Sequence, residues 1–207
     1  MDFKEVVKKR RTVRKYTSED VSVERIKEVL EEAVWSPSAC NRQPWYFVIV
    51  KNPELKQKIA SMAFNLPQMR NASAILAVFS DLEKYCDSST RKQVEENKYY
   101  HIDAGVVLQT ISLSAFDKGL GTCIVAGRLP KKEIRETLGV PDNYALCALM
   151  SFGVPDGEAP VAPERDSTEK YFDVDEYSPE NKSRKGKTDQ SAWSQVTGKI
   201  KKHFLKH

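Results

Sequence analysis

The chain of 207 residues lacks the patterns that announce a metal site or a disulfide scaffold. Its four cysteines, Cys40, Cys86, Cys123 and Cys147, are widely spaced with no C-x-x-C pair, and two of its three histidines fall in the last five positions. Neither a zinc site nor a cross-linked framework has its ligands in place. No stretch approaches the ~18 continuous apolar residues of a membrane span, and the opening MDFKEVVKKRRT has no apolar segment of a secretory signal. Internal repeats are absent as well. These absences predict a soluble protein of a reducing, cytoplasmic compartment, with no metal.

A broad field of one sign is also missing. The formal charge is +4, but residues 178–207 hold eight Lys/Arg against two Asp/Glu, which leaves residues 1–177 with 25 against 27. A body this close to neutral has no cationic face for nucleic acid, although its arginines can gather at one pocket, so a small anion is the expected partner. The domain reading is one body, residues 1–177, and a basic tail, residues 178–207. Within the tail, Ser178 to Asp189 reads as a linker. Trp193, Val196, Ile200, Phe204 and Leu205 then recur among lysines, which suits either a surface helix docking on the body or a helix that binds a membrane or partner.

What is present is an alternation of helices and strands. Asp2 caps a short helix through about Arg10, and Ser22 caps a second in which Val23, Ile26, Val29, Leu30, Ala33 and Val34 recur at helical spacing. WYFVIVK reads as a buried strand, Pro53 opens a third helix through about Phe64, and SAILAVFS is a second buried strand. The segment from Asp81 to Asn97 is polar without periodicity. Tyr99 to Lys118 is the longest helical pattern, apolar on more than one face, and is therefore buried in the core or against a partner. Gly119 and Gly121 stop it; GTCIVA is extended, Pro130 opens a short helix ending at Gly139, and YALCALMSFGV is the last strong strand. The sum is an α/β or α+β sandwich, which leaves its chemistry to the loops.

Four constellations stand out. RRTVR, Arg10 to Arg14, can clamp a phosphate, because guanidinium forks match its oxygens and a threonine hydroxyl adds a donor; it also reads as a solvated basic helix end, with Arg10 and Arg14 one turn apart. SPSACNRQPW, Ser36 to Trp45, places Ser38, Asn41 and Gln43 between prolines, where they can serve a heteroaromatic edge or only their own turn. In GLGTCIVAGRLP, Gly119 to Pro130, glycine permits a flat ligand close to the backbone, or simply stops a helix and starts a strand; it is not a G-x-G-x-x-G dinucleotide fingerprint. APERD carries Arg165, by itself a surface arginine. Cys40, with no resolving cysteine nearby, reads as a small packing residue, and Tyr99 and Tyr100 as packing residues or substrate contacts.

In this order, RRTVRKY, PSACNRQPWYFVIV, the long helix with GLGTC, SFGVP and a late arginine resemble the nitroreductase family of flavoproteins, over about residues 2–172. The resemblance implies an α+β three-layer sandwich with a central, mostly antiparallel sheet flanked by helices, in an intertwined homodimer. It implies FMN, with NADH or NADPH as electron donor and hydride passing through flavin N5, in ping-pong order, to a nitroaromatic, quinone or similar small aromatic acceptor. Carried over position by position, Arg10, Arg11, Thr12 and Arg14 match the early FMN-binding run, with Arg10 and Thr12 on phosphate and Arg14 nearer the pyrimidine edge. Pro37, Ser38 and Asn41 match a loop that lines the flavin from the partner subunit. Asn65 and Gln68 fall where an amide contacts the ring, Ala126 and Gly127 where a backbone N–H approaches N5, and Arg165 at the late phosphate-binding arginine. No protein side chain is nominated as catalytic. Thr12 stands where serine is commoner, and the stretch from Asp81 to Asn97 is short for members with a substrate-capping excursion. Relatives using the same flavin fold for reductive dehalogenation or flavin breakdown, and a non-catalytic flavin-binding regulatory module, are the alternatives.

Overall fold

A computed structural model describes residues 1–85, 99–168 and 171–176. The segment from 86 to 97, Cys86 and the basic tail lie outside them. Two compact units are distinguished, Met1–Ala162 and a second from Pro163 onward. The second unit's described residues include Arg165 and a Tyr171 hydroxyl that donates to Asp166 at 3.2 Å.

The first unit is built on a four-stranded, wholly antiparallel sheet in the order β1-β2-β4-β3, with β1 Trp45–Val50, β2 Ala74–Asp81, β3 Gly121–Val125 and β4 Tyr144–Gly153. The helices are α1 Phe3–Lys9, α2 Val23–Ala33, α3 Pro53–Met62, α4 Pro67–Arg70, α5 Tyr100–Asp117 and α6 Lys131–Thr137. Asp2 and Ser22 cap α1 and α2 through their side chains, as their chemistry predicts. The short α4 carries no periodicity long enough to be seen in the sequence.

Successive side chains of a strand face opposite ways, so a strand covered on both sides belongs to two cores. In β2, Ala74, Leu76 and Val78 pack with Ile26 and Val29 of α2 and Val107 and Ile111 of α5. Ile75, Ala77 and Phe79 pack on the other face with Ile59 of α3, Met69 of α4 and Ile134 of α6. Helices therefore cover both faces, the three-layer α+β sandwich expected. In β4, Ala148, Met150 and Phe152 serve the first core, while Leu149 and Leu146 serve the second. Leu146 changes face because the register slips between Val78 and Phe79, whose partners are Ala148 and Leu146; Cys147 is the extra residue of a bulge.

Two expectations are corrected. β1 is only partly buried, because among the described residues it is the edge strand, with β2 as its one neighbour. Val34 is 40% exposed, since α2 ends one residue before it. The long helix α5 buries residues around a wide arc, from Ala104 through Ala115, as its apolar sequence predicts. Among the described residues no helix is long and apolar enough to cross a membrane, and no group of His, Cys, Asp and Glu is placed to hold a metal.

Candidate functional site

The arginine run is not helical. α1 stops at Lys9 with Arg10 as its C-cap, and the chain then runs extended beside β3 and the end of β4. Thr12 bridges Thr122, the Val13 N–H donates to the Thr122 carbonyl at 2.9 Å, the Asp156 N–H donates to the Lys15 carbonyl at 3.1 Å, and the Thr17 N–H donates to the Val154 carbonyl at 2.9 Å. Arg10 and Arg14 thus do not share a helix face: Lys8, Lys9 and the cap residue Arg10 form a basic helix end, and Arg11 to Arg14 lie beyond it. Tertiary backbone pairing overrides the local helix that the spacing permits.

Two glycines allow this crossing. A Cβ on Gly121 would meet the Val13 side chain at 2.7 Å, and one on Gly153 would meet the Tyr16 ring at 2.5 Å. The close approach at Gly121 is therefore made by the chain's own Val13 and not by a flat ligand. Gly119, at φ +75°, takes the left-handed turn that ends α5. The Tyr16 hydroxyl donates to the Val13 carbonyl at 2.8 Å and lies 2.7 Å from the Ser151 Oγ, closing the turn that carries Arg14.

Beside this segment lies a cavity of about 300 Å³, within the range of small-ligand sites. Phe116, Leu120, Pro155 and Pro160 give it apolar walls; Arg11, Thr12, Arg14 and Lys15 line its polar side, with Asp156 and Glu158 also at its border. The Arg11 guanidinium is spent on its own backbone, donating to the Lys8 and Arg10 carbonyls at 2.6 and 2.7 Å. The Thr12 hydroxyl, Arg14 guanidinium and Lys15 ammonium form no hydrogen bond or ion pair among the described residues. Such a donor set suits an anionic oxygen cluster.

Gln68, buried in α4, does not line this cavity, and neither does Arg10. Burial raises the Cys123 thiol on β3, and the Arg14 charge and a Gln68 hydrogen bond pull it partly back. Arg14 and Gln68, far apart in sequence, thus both act on one residue.

The remaining expected residues do not line the cavity. In the Ser36–Gln43 loop, Ser36 is buried and donates to Thr110 at 2.8 Å, Ser38 accepts the Gln43 N–H at 2.9 Å, and Pro37 and Asn41 are exposed. Cys40 is exposed at φ +50°, so it is not the packing residue expected: a left-handed turn carries it outward. Asn65, at φ +51°, and the turn at Ala126 and Gly127 are exposed, and Arg165 belongs to the second unit. Tyr99 is exposed at the start of α5, and the Tyr100 ring lies 4.3 Å from that of His101.

Sequence reasoning missed Tyr16, Gly153 and Asp103 of α5. Tyr16 stood within the quoted RRTVRKY, and the isolated carboxylate in an apolar helix was the one available signal for Asp103. The Asp103 carboxylate is buried and accepts the Ala39 N–H at 3.2 and 3.3 Å and the Tyr85 hydroxyl at 2.7 Å.

The first unit is thus an antiparallel α/β/α sandwich with a cationic segment beside an apolar-walled cavity. The sequence matches the model of the Nitroreductase family over residues 7–71 and 60–154, and the chain belongs to that family. It is 32% identical over 184 residues to YdgI of Bacillus subtilis (strain 168), which carries the provisional name NAD(P)H nitroreductase, covering 73% of this chain and 88% of that one. Among solved structures, an FMN-dependent nitroreductase from Clostridium difficile R20291 is similar at 25% identity and a TM-score of 0.71, over 84% of this chain and 100% of that one. The NADPH:FMN oxidoreductase from Vibrio harveyi, complexed with NAD+, shares the fold at a TM-score of 0.76 and 23% identity, over 95% of this chain and 90% of that one.

Proposed function

We propose that the chain is a homodimeric, FMN-dependent NAD(P)H oxidoreductase of the cytoplasm that reduces a small aromatic acceptor such as a nitroaromatic or a quinone. The observation that carries this reading is the unpartnered donor set of Thr12, Arg14 and Lys15, among the described residues, along a cavity with apolar walls. A phosphate joined to a flat, largely apolar group meets both requirements of that space. FMN has this chemistry, and when bound it supplies two-electron transfer between NADH or NADPH and the acceptor. The names of the Bacillus subtilis and Clostridium difficile proteins support donor and cofactor respectively.

In this reading Arg10 and Thr12 hold the phosphate, and Arg11 braces the run through its bonds to the Lys8 and Arg10 carbonyls. For Arg165 a phosphate-binding role rests on the family resemblance alone. Arg14 keeps a fixed positive charge that favours an anionic ring over a neutral one. Gln68 and Asn65 offer side-chain amides, Ala126 and Gly127 a backbone N–H, and Pro37, Ser38 and Asn41 come from a second copy of the chain. The exposed apolar residues Phe3, Val7 and Ile102 on the helices, and Trp35 in the turn after α2, suit burial in such a dimer. No side chain is given a proton-transfer role.

The visible spectrum of the purified protein tests the reading. A flavin spectrum that bleaches on anaerobic addition of NADH or NADPH and returns on adding a nitro compound is expected. A yellow protein that neither donor bleaches would leave only a flavin-binding module, and a protein that takes up no FMN would remove the cofactor. Replacing the nitro compound by a quinone or a halogenated phenol separates the acceptors.

A further inference from the structure

The Ser38–Gln43 loop holds an unusual backbone. Cys40, Asn41 and Gln43 have φ of +50°, +53° and +48°, so three non-glycine residues within four positions sit in the left-handed region. Side chains disfavour that region, and it persists only where surrounding contacts over-determine it. Here the contacts come from two other segments. Asp103, in the first turn of α5 and 5% exposed, accepts the Ala39 N–H through both carboxylate oxygens and the Tyr85 hydroxyl through Oδ2. The loop and the turn at Leu82–Tyr85 are also joined directly: the Arg42 guanidinium donates to the Lys84 carbonyl at 2.5 Å, and the Lys84 ammonium donates to the Gln43 carbonyl at 2.9 Å. A carboxylate taken out of water is costly unless its hydrogen bonds are needed.

We propose that Asp103 is a positioning residue: its carboxylate holds the Ser38–Gln43 loop in its left-handed form and ties it to the Leu82–Tyr85 turn. The hydroxyl and amides of the loop are thereby set before a ligand arrives, so that binding does not spend affinity on ordering them. That this loop borders the cofactor rests on the function proposed above. Among the described residues Asp103 hydrogen-bonds only the Ala39 amide and the Tyr85 hydroxyl, so it acts through the loop.

Asp103→Ala, Asp103→Asn and Tyr85→Phe in the full chain test this by hydrogen exchange of peptides spanning residues 38–43 and by FMN fluorescence titration. In Asp103→Ala, exchange in that segment rises about fivefold, as for one lost hydrogen bond, while β2 and β4 peptides keep their protection. The FMN dissociation constant rises about tenfold, a loss typical of misplaced binding groups. Asp103→Asn, which keeps an acceptor, recovers most of both, and Tyr85→Phe shows a smaller shift in each. Should the alanine variant not fold, the asparagine and Tyr85→Phe variants carry the test, with at least the latter displaced from wild type in both readouts. Unchanged exchange in residues 38–43 in every folded variant overturns the role of Asp103, as does raised exchange with an FMN affinity equal to wild type. Wild-type protein that takes up no FMN instead overturns the proposed function, and the exchange data then decide the positioning role alone.

Discussion

The hydroxyl of Tyr16 and the Oγ of Ser151, 135 positions apart in the chain, lie 2.7 Å from each other in the buried interior beneath the arginine run. Since the Tyr16 proton goes to the Val13 carbonyl, Ser151 is the donor to Tyr16. Tyr16→Phe keeps the ring and removes both bonds. Stability is expected to fall by about 1–2 kcal/mol, as for a buried hydrogen bond left open, and FMN affinity by about fivefold, because the turn carrying Arg14 loosens. Urea unfolding and a flavin titration measure the two. Equal FMN affinity would show that Arg14 does not depend on this turn.

Gly153→Ala tests the same lock from below. The added methyl meets the Tyr16 ring at 2.5 Å, with backbone on one side and a ring in a packed interior on the other. Overpacking of this kind costs roughly 1–3 kcal/mol. Combined with Tyr16→Ala, which empties the space, the glycine substitution should cost much less than alone, and a double-mutant cycle by urea unfolding reads the difference. Additive losses would place the clash elsewhere.

Arg14→Ala removes one of the two cations of the cavity, Arg14 and Lys15, that are unpaired among the described residues. Turnover is expected to drop and the bound-flavin potential to shift downward, by about 30 mV for each ~1.4 kcal/mol of anion stabilisation lost in a two-electron couple. Arg14→Lys should restore part of the potential. Spectroelectrochemical titration of the three proteins checks this, and an unchanged potential in the alanine variant removes the electrostatic role.

Alkaline pH should loosen the fold through Cys147. Burial pushes this bulge thiol from 9.0 up to about 12, so the folded state favours its neutral form. The associated stability is complete below pH 9 and is lost as pH rises toward 12, at about 1.4 kcal/mol per unit. Tyr16, raised by burial, adds to the same trend at higher pH. Melting temperature should fall less steeply between pH 9 and 10.5 in Cys147→Ala than in wild type. Parallel slopes would refute the assignment, whatever the absolute offset from the lost thiol volume.

Much of the frame was legible because it is written locally. Asp2 and Ser22 announce helix starts, Gly119 an end, and AILAVFS a strand buried on both faces. The arginine run was legible as a concentration of charge but not in its conformation, since Thr12 to Thr17 takes its shape from Thr122 and Val154. The edge position of β1 depends on strand order, which WYFVIV does not encode. The displaced Leu146 depends on the Cys147 bulge, a property of the β2 and β4 pair. In the Ser36–Gln43 loop the amides were visible, whereas the left-handed turns and their support by Asp103 arise only when α5 is in place. Of the residues singled out, Arg11, Thr12 and Arg14 line the cavity; Arg10, Pro37, Ser38, Asn41, Asn65, Gln68, Ala126 and Gly127 do not on this chain, and Arg165 is in the second unit.

The crossing of Thr12–Thr17 over β3 and the end of β4 also orders events during synthesis. The Thr12–Thr17 segment is made more than a hundred residues before its backbone partners, Thr122, Val154 and Asp156. Contacts this distant in sequence form late in folding. On the function proposed, a ribosome-stalled chain ending before Gly121 should therefore retain no flavin, whereas one that extends past Asp156 should.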